Sequence, residues 1–255
     1  MLARHAGLTV TAHHVDHRIR PESAAEAERA RQIAATIGVR FVEHRVDVEP
    51  GPNLEARARS SRRAVLPADA MTGHTMDDQA ETLLIRLLRG SGTTGLASMR
   101  AGERHPILAL RRTDTEAVCA ALGIAPNRDP SNDDRSLWRS RTRHELLPLA
   151  ADIAERDVVP ILARTAELLA ADDEVLERLG DGLDPTDARA VAKADPVVAR
   201  RALRAWLAAD GYPPDTAAID RVLAVARGEV TACEIPGGRR VERSNQRFRI
   251  VAPDE

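Results

Sequence analysis

The chain has 255 residues and a mass of 27.7 kDa, 43% of it apolar and 30% charged, with a net charge of −2. That length allows one large domain or two small ones, and no stretch approaches the roughly 20 consecutive apolar residues of a membrane helix. An aromatic fraction of 2% argues against modules that stack bases on Phe and Tyr, and two distant cysteines, Cys119 and Cys233, exclude a disulfide framework or a CxxC metal site.

The N-terminus, Met1-Leu2-Ala3-Arg4-His5, opens a mixed segment with no apolar core of a secretory signal, so a cytoplasmic protein is expected. Leu8 to Val15 is short and β-branched and predicts a buried parallel strand that ends at Asp16-His17-Arg18. Pro21-Glu22-Ser23 opens a helix, with Ser23 as its N-cap, Ala27, Ala30, Ile33, Ala34 and Ile37 at helical spacing, and Gly38 as the stop. Val39 to Val46 alternates as a second strand, and Asn53-Leu54-Glu55 starts a helix that runs through Arg63. Ala68 to His74 predicts another strand, Asp77 to Arg89 a helix, Ile107 to Leu110 a strand, and Asp114 to Leu122 a helix. Such β–α alternation predicts an α/β domain with a parallel sheet.

Beyond residue 144 the pattern is helical: Leu146 to Leu149, Val158 to Leu179, Asp187 to Lys193, Pro196 to Asp210 and Thr216 to Arg227. The domains are therefore expected at 1–148 and 149–255, the second smaller and helical. Its tail turns at Pro236-Gly237-Gly238 and alternates toward Val251, a hairpin signal.

The most informative stretch is Gly73-His74-Thr75-Met76-Asp77-Asp78-Gln79-Ala80-Glu81-Thr82. It lies between a predicted strand and a helix N-terminus, where ligands of α/β sheets bind. Adjacent carboxylates there call for a cation, and Mg²⁺ takes one or two carboxylates plus phosphate oxygens. Asp77 and Glu81 share a helix face, although acids also favour a first helical turn for electrostatic reasons alone. His13, His14 and His17 leave a strand in different directions, which disfavours zinc and places them at a strand end near a nucleotide base.

Gly90-Ser91-Gly92-Thr93-Thr94-Gly95 spells GxGxxG, but a helix precedes it where that motif needs a strand, so Gly90 reads as a helix C-terminus. Basic residues gather in three places: Arg57, Arg59, Arg62 and Arg63; Arg139, Arg141 and Arg143 after Asp129-Pro130-Ser131-Asn132; and Arg239, Arg240, Arg243, Arg247 and Arg249. Nearly every base is arginine, Lys193 being the only lysine, and guanidinium forks suit phosphate. Basic surfaces on a net acidic protein point to a folded nucleic acid held by its phosphates.

Taken together, five motifs in order resemble the tRNA(Ile)-lysidine synthase family of N-type ATP pyrophosphatases. They are His14-Val15-Asp16-His17-x-Ile19-Arg20-Pro21-Glu22-Ser23, Gly73-His74-x-x-Asp77-Asp78-Gln79-Ala80-Glu81-Thr82, Arg86-Leu87-Leu88-Arg89-Gly90-Ser91-Gly92, Asp129-Pro130-Ser131-Asn132 and Arg143-His144-Glu145-Leu146-Leu147-Pro148. The resemblance covers most of residues 10 to 150. It implies a PP-loop domain of the adenine nucleotide alpha hydrolase-like fold, followed by a helical tRNA-binding domain.

It further implies a ligase that uses ATP and Mg²⁺. ATP adenylates the C2 oxygen of the wobble cytidine of tRNA(Ile) bearing a CAU anticodon. Free L-lysine then displaces AMP, which changes codon reading from AUG to AUA. Carried over, Asp77, Asp78 and Glu81 are the catalytic residues, with Asp77 and Asp78 on the metal. His13, His14, Val15, His17, Gly73 and His74 border ATP. Arg59, Arg62, Arg112, Asn132, Arg139, Arg141 and Arg143 meet phosphate or tRNA. The family's Ser-Gly-Gly-x-Asp-Ser loop is not found in these residues, so the domain is expected to be N-terminally truncated and the chain as given catalytically weak or inactive. Arg18, Arg63, His105 and Ser140 also depart from the family pattern. The alternatives are a non-catalytic tRNA-binding protein or another PP-loop tRNA-modifying enzyme. The resemblance leaves an oligomer open.

Overall fold

The computed structural model describes residues 2–18, 23–48, 51, 54–126, 132, 134–208 and 214–251. Pro21-Glu22, Asn53, Asp129-Pro130-Ser131 and Asp210 lie outside the described residues. The chain divides into two compact units, Met1–Arg89 with Met99–Ala163, and Gly90–Ser98 with Arg164–Glu255. The second unit thus takes in Gly90–Ser98 as well as the chain from Arg164.

In the first unit a short helix α1 (Leu2–His5) precedes strand β1 (Thr11–Asp16). Helix α2 (Ser23–Thr36) then carries the chain to β2 (Arg40–Arg45), which pairs with β1 in parallel from Thr11↔Arg40 to Asp16↔Arg45. Ala27 and Ala34, seven residues apart and so on one face of α2, are buried. Gly38 adopts φ +65° while Val39 N–H bonds back to Ala34, which closes the helix as its residue type requires.

Helix α3 (Leu54–Val65) follows. The strands expected at Ala68–His74 and Ile107–Leu110 do not form. Thr72 N–H bonds to the Arg104 carbonyl and Met76 N–H to the Leu110 carbonyl, so the two segments meet at both ends. Between them residues 105–110 fold into successive turns, Leu108 to His105 and Leu110 to Ile107, and spend their backbone groups locally instead of on a ladder. The α/β fold with a parallel sheet holds, and its described parallel sheet is the β1–β2 pair.

Helix α4 (Met76–Leu88) buries Ala80 and Leu83 and ends at Gly90, φ +72°. Beyond it come α5 (Thr93–Leu96), α6 (Arg112–Ala121) and α7 (Trp138–Arg141). A π-helical turn over Thr142–Leu146 leads into α8 (Leu147–Ala154). Pro148 lacks an N–H and its ring crowds the preceding turn, so the wide turn falls where an ordinary helix would be strained. Ala80 of α4 packs with Leu147, Val158 and Val159, where α9 (Val159–Asp181) begins.

The second unit has its own core. Helices α10 (Ala188–Lys193), α11 (Pro196–Leu207) and α12 (Thr216–Arg227) bury Val191, Leu203, Leu207, Ile219 and Val222 with Val241 and Phe248 of an antiparallel sheet. Asp187, Asp195 and Asp215 cap these helices by accepting backbone N–H bonds. The sheet orders β3 (Ala232–Ile235), β4 (Arg239–Ser244) and β5 (Arg247–Val251). The expected turn at Gly237-Gly238 is present, and a second, two-residue turn at Asn245-Gln246 has both residues at positive φ, which extends the hairpin to three strands.

Candidate functional site

The N-terminal turn of α4 places Asp77, Asp78 and Glu81 side by side, and its start is fixed by Asp78 itself. Asp78 Oδ2 accepts from Thr75 N–H at 2.8 Å and from the Thr75 hydroxyl at 3.0 Å. Two of the three carboxylates then share the same guanidinium groups. Glu81 is fully buried. Its Oε1 accepts from Arg112 Nη2 at 2.8 Å and Arg143 Nε at 2.7 Å, and its Oε2 from Arg139 Nε at 3.0 Å and Arg143 Nη2 at 3.2 Å. Asp78 Oδ1 accepts from Arg139 Nη2 at 2.9 Å and Arg112 Nη2 at 3.4 Å.

Asp77 has a different side-chain partner, Arg111. It accepts from the Arg112 backbone N–H at 2.7 Å and takes both Nε and Nη2 of Arg111 at 3.2 Å, while Arg111 also pairs with Asp157. Burial pushes all three α4 carboxyls up, but their hydrogen bonds and guanidinium neighbours outweigh it and hold them below the usual carboxylate range: Arg111 and the Arg112 backbone N–H at Asp77, Thr75 and then Arg139 and Arg112 at Asp78, Arg143 and Arg112 at Glu81. Arg111, Arg112, Arg139 and Arg143 bring four positive charges to these three acids and Asp157, so the cluster is balanced in charge.

This arrangement bears on the Mg²⁺ expected at Asp77 and Asp78. Their oxygens are engaged by Arg111, Arg112, Arg139 and Thr75. Among the described residues no group of three or more His, Cys, Asp and Glu side chains is set to hold a metal ion. The donor set as it stands does not fit Mg²⁺.

Of the three arginines at 139, 141 and 143, two join the cluster. Residues i and i+4 share a helix face, which brings Arg139 and Arg143 onto Glu81, whereas Arg141 points away and pairs with Glu145 at 3.0 Å. Asn132 contributes its backbone carbonyl, which accepts from the Ser140 hydroxyl at 2.9 Å and lies 3.3 Å from His144 Nε2. Arg111 was not singled out in the sequence. The available signal was two arginines at the start of α6, where the helix dipole disfavours cations unless acids face them.

A second group surrounds His74. The Thr72 hydroxyl lies 2.7 Å from Nδ1 of both His74 and His105, whose rings meet edge to face at 5.3 Å. Burial lowers the basicity of both imidazoles; Arg139 and Arg59 reinforce this at His74, and Arg104 and Arg59 at His105. Arg59 is itself held below the usual guanidinium range by burial and by the charges of Arg63, Arg62, Arg86 and Arg139. Among the described residues, Nε and Nη2 of Arg57 are buried and have no hydrogen-bond partner.

The β1 histidines divide as their alternation dictates. His13 Nδ1 bonds to His44 Nε2 at 2.9 Å, with the rings stacked at 5.2 Å, and His14 stacks on Phe41. His17, past the strand end, has a buried Nδ1 with no partner among the described residues and is made less basic by burial and by Arg62. Val15 lies in the strand between them and Gly73 stays exposed beside His74.

Comparison with known proteins gives one consistent answer. Residues 1–150 match the PP-loop domain family. The chain is 39% identical over 249 residues to the tRNA(Ile)-lysidine synthase of Mycolicibacterium paratuberculosis, covering 88% of this chain and 77% of that protein. It is 39% identical over 263 residues to the tRNA(Ile)-lysidine synthase of Nocardia farcinica, with 97% and 82% covered, and 37% identical over 266 residues to that of Mycobacterium leprae, with 96% and 80% covered.

Proposed function

Because the chain belongs to the tRNA(Ile)-lysidine synthase family of PP-loop proteins, we propose that it serves the ATP-dependent ligation of lysine to C2 of the wobble cytidine in tRNA(Ile) with a CAU anticodon. The C2 oxygen attacks the α-phosphorus, pyrophosphate leaves, and the lysine amine then displaces AMP as it bonds to C2. When bound, ATP supplies the adenylyl group that makes the C2 oxygen a leaving group. The chain's own residues bind, orient and balance charge.

The observation that carries this reading is the buried Glu81 carboxylate holding Arg112, Arg139 and Arg143 in one place. Guanidinium groups fixed in advance stabilise charge that builds on phosphate without reorganising at the moment of reaction. Their remaining N–H groups are the donors we assign to the leaving AMP and to the RNA backbone. Arg59 and Arg62 extend the same positive environment, His17 and His74 add imidazoles made less basic by it, and among the described residues Nε and Nη2 of Arg57 have no acceptor.

Asp77 and Asp78 are held ionised, which suits them to fix the arginines around them and not to take the lysine's proton. His13, His14 and Val15 on β1 are the residues we assign to the adenine side. Residues 149–255, with the arginines of the three-stranded sheet, are assigned to tRNA binding. Since these 255 residues contain no Ser-Gly-Gly-x-Asp-Ser loop, we expect slow turnover from them alone.

The experiment compares labelled-lysine incorporation into the tRNA transcript with RNA binding in Asp77→Ala and Asp78→Ala. Loss of incorporation with binding retained supports the ligase. No change in incorporation contradicts the assigned roles, and absence of incorporation from every form, with binding intact, favours a tRNA-binding protein instead.

A further inference from the structure

The Thr72 hydroxyl faces two imidazole nitrogens, Nδ1 of His74 and Nδ1 of His105, each at 2.7 Å, and carries one proton. One hydroxyl cannot donate to both. Its third neighbour, the Arg104 carbonyl at 3.3 Å, is a longer and weaker acceptor. At least one of the two histidines must therefore carry its proton on Nδ1 and donate to Thr72.

Which one does so follows from what surrounds the pair. Arg59 is near both rings, Arg104 near His105, and the Asp78 carboxylate and Arg139 near His74, where burial and the arginines outweigh the carboxylate and keep the imidazole less basic than usual. If His74 held its proton on Nδ1, its Nε2 would be a bare lone pair, which repels an anion. If His105 holds it instead, the Thr72 proton passes to His74 Nδ1 and His74 keeps a proton on Nε2. Among the described residues Nε2 of His74 has no hydrogen-bond partner, and it is not one of the buried orphan atoms. Only the second arrangement leaves a donor for the phosphate ligand that the arginines around it favour.

We propose that Thr72 and His105 are positioning residues for His74, linked as His105 Nδ1–H to Thr72 Oγ1 and Thr72 O–H to His74 Nδ1, so that His74 offers Nε2–H to a nucleotide phosphate. The geometry alone requires a proton on Nδ1 of one of the two rings; its assignment to His105, like the phosphate role of His74, rests on the function proposed above. Thr72 supplies the stiffness: a β-branched side chain with few rotamers holds both rings through one atom.

The test is a long-range ¹H–¹⁵N spectrum of the ¹⁵N-labelled chain at about pH 8, above the ordinary histidine range near 6.5, with resonances assigned through His74→Gln and His105→Gln. The expected result is the Nδ1–H pattern for His105 and the Nε2–H pattern for His74. Thr72→Val should convert His105 to the Nε2–H form that free imidazoles prefer, and Thr72→Ser, which keeps the hydroxyl, should restore the wild-type pattern. Nε2–H patterns for both rings in the unaltered chain, an Nδ1–H pattern for His74, or no response to Thr72→Val would overturn the proposal. Titration with inorganic triphosphate separates the two claims. A shift confined to His74 Nε2 supports the phosphate role, and the expected proton order without any shift removes that role while the hydrogen-bonded chain stands.

Discussion

Arg143 grips Glu81 with two donors at once, Nε to Oε1 at 2.7 Å and Nη2 to Oε2 at 3.2 Å. A forked, charge-assisted pair of this kind depends on planar geometry that lysine cannot reproduce. Arg143→Lys should therefore keep the charge but lose the fork, lowering lysine incorporation while the chain stays folded by circular dichroism. Equal activity from the lysine variant would show that charge alone matters there.

Removing the acid has the opposite character. Glu81→Ala leaves Arg112, Arg139 and Arg143 with Asp78 as their one remaining acid among the α4 carboxylates they share, and breaking a buried ion pair from one side costs about 3–5 kcal/mol. Urea unfolding of the variant should show a loss of that order. A loss below about 1 kcal/mol would mean that Asp78 and solvent take over the arginines.

Stability should fall with acid in two stages. His17, His74 and His105 are less basic in the folded chain than unfolded, so the unfolded chain binds more protons once the pH drops below about 6.5. The three α4 carboxyls are more acidic when folded, so their contribution is present above about pH 4 and is lost as the pH falls further. Asp184, brought to about 2 by the Thr186 hydroxyl and backbone N–H and by Arg247, acts in the same direction in the second unit. Denaturant midpoints measured between about pH 8 and pH 3 check this; midpoints that rise on acidification would contradict it.

Affinity for tRNA should depend steeply on salt. Arg59→Ala and Arg62→Ala should each weaken binding across sequences and reduce the log–log salt slope by about 1. Filter binding at several salt concentrations reads both quantities. Unchanged slopes would place these arginines away from the RNA backbone.

The core of the second unit can be perturbed separately. Leu203 is fully buried among α11, α12 and the sheet, and Leu203→Ala should cost about 2–5 kcal/mol. The nitrogen spectrum of His74 and His105, both in the first unit, should not change. A changed histidine spectrum would indicate that the first unit depends on the folding of the second.

Much of this arrangement was legible in the sequence, for reasons that differ by residue. Helix α12 has the predicted bounds Thr216–Arg227 because an aspartate cap and a glycine at φ +80° mark its two ends. Gly38 and Gly90 stop α2 and α4 on the same principle. The strands at 68–74 and 107–110 were misread because apolar, extended-looking residues do not disclose whether a ladder partner exists, and here the second segment satisfies its own backbone.

At the candidate site, the acids of α4 were readable from their spacing, but their partners were not. That Arg139 and Arg143 reach Glu81 while Arg141 does not is half-contained in the i, i+4 rule; the folding of residues 138–146 back onto α4 is long-range. Arg111 and the Thr72–His105 contact depend wholly on residues distant in sequence.

The most direct test of the account is incorporation of labelled lysine into a tRNA(Ile) transcript with a CAU anticodon, with ATP added or withheld, by the unaltered chain and by Arg143→Ala. The account predicts slow incorporation that requires ATP and disappears when Arg143 is removed. Incorporation that does not require ATP, that persists undiminished in Arg143→Ala, or that never rises above the ATP-free background would contradict it.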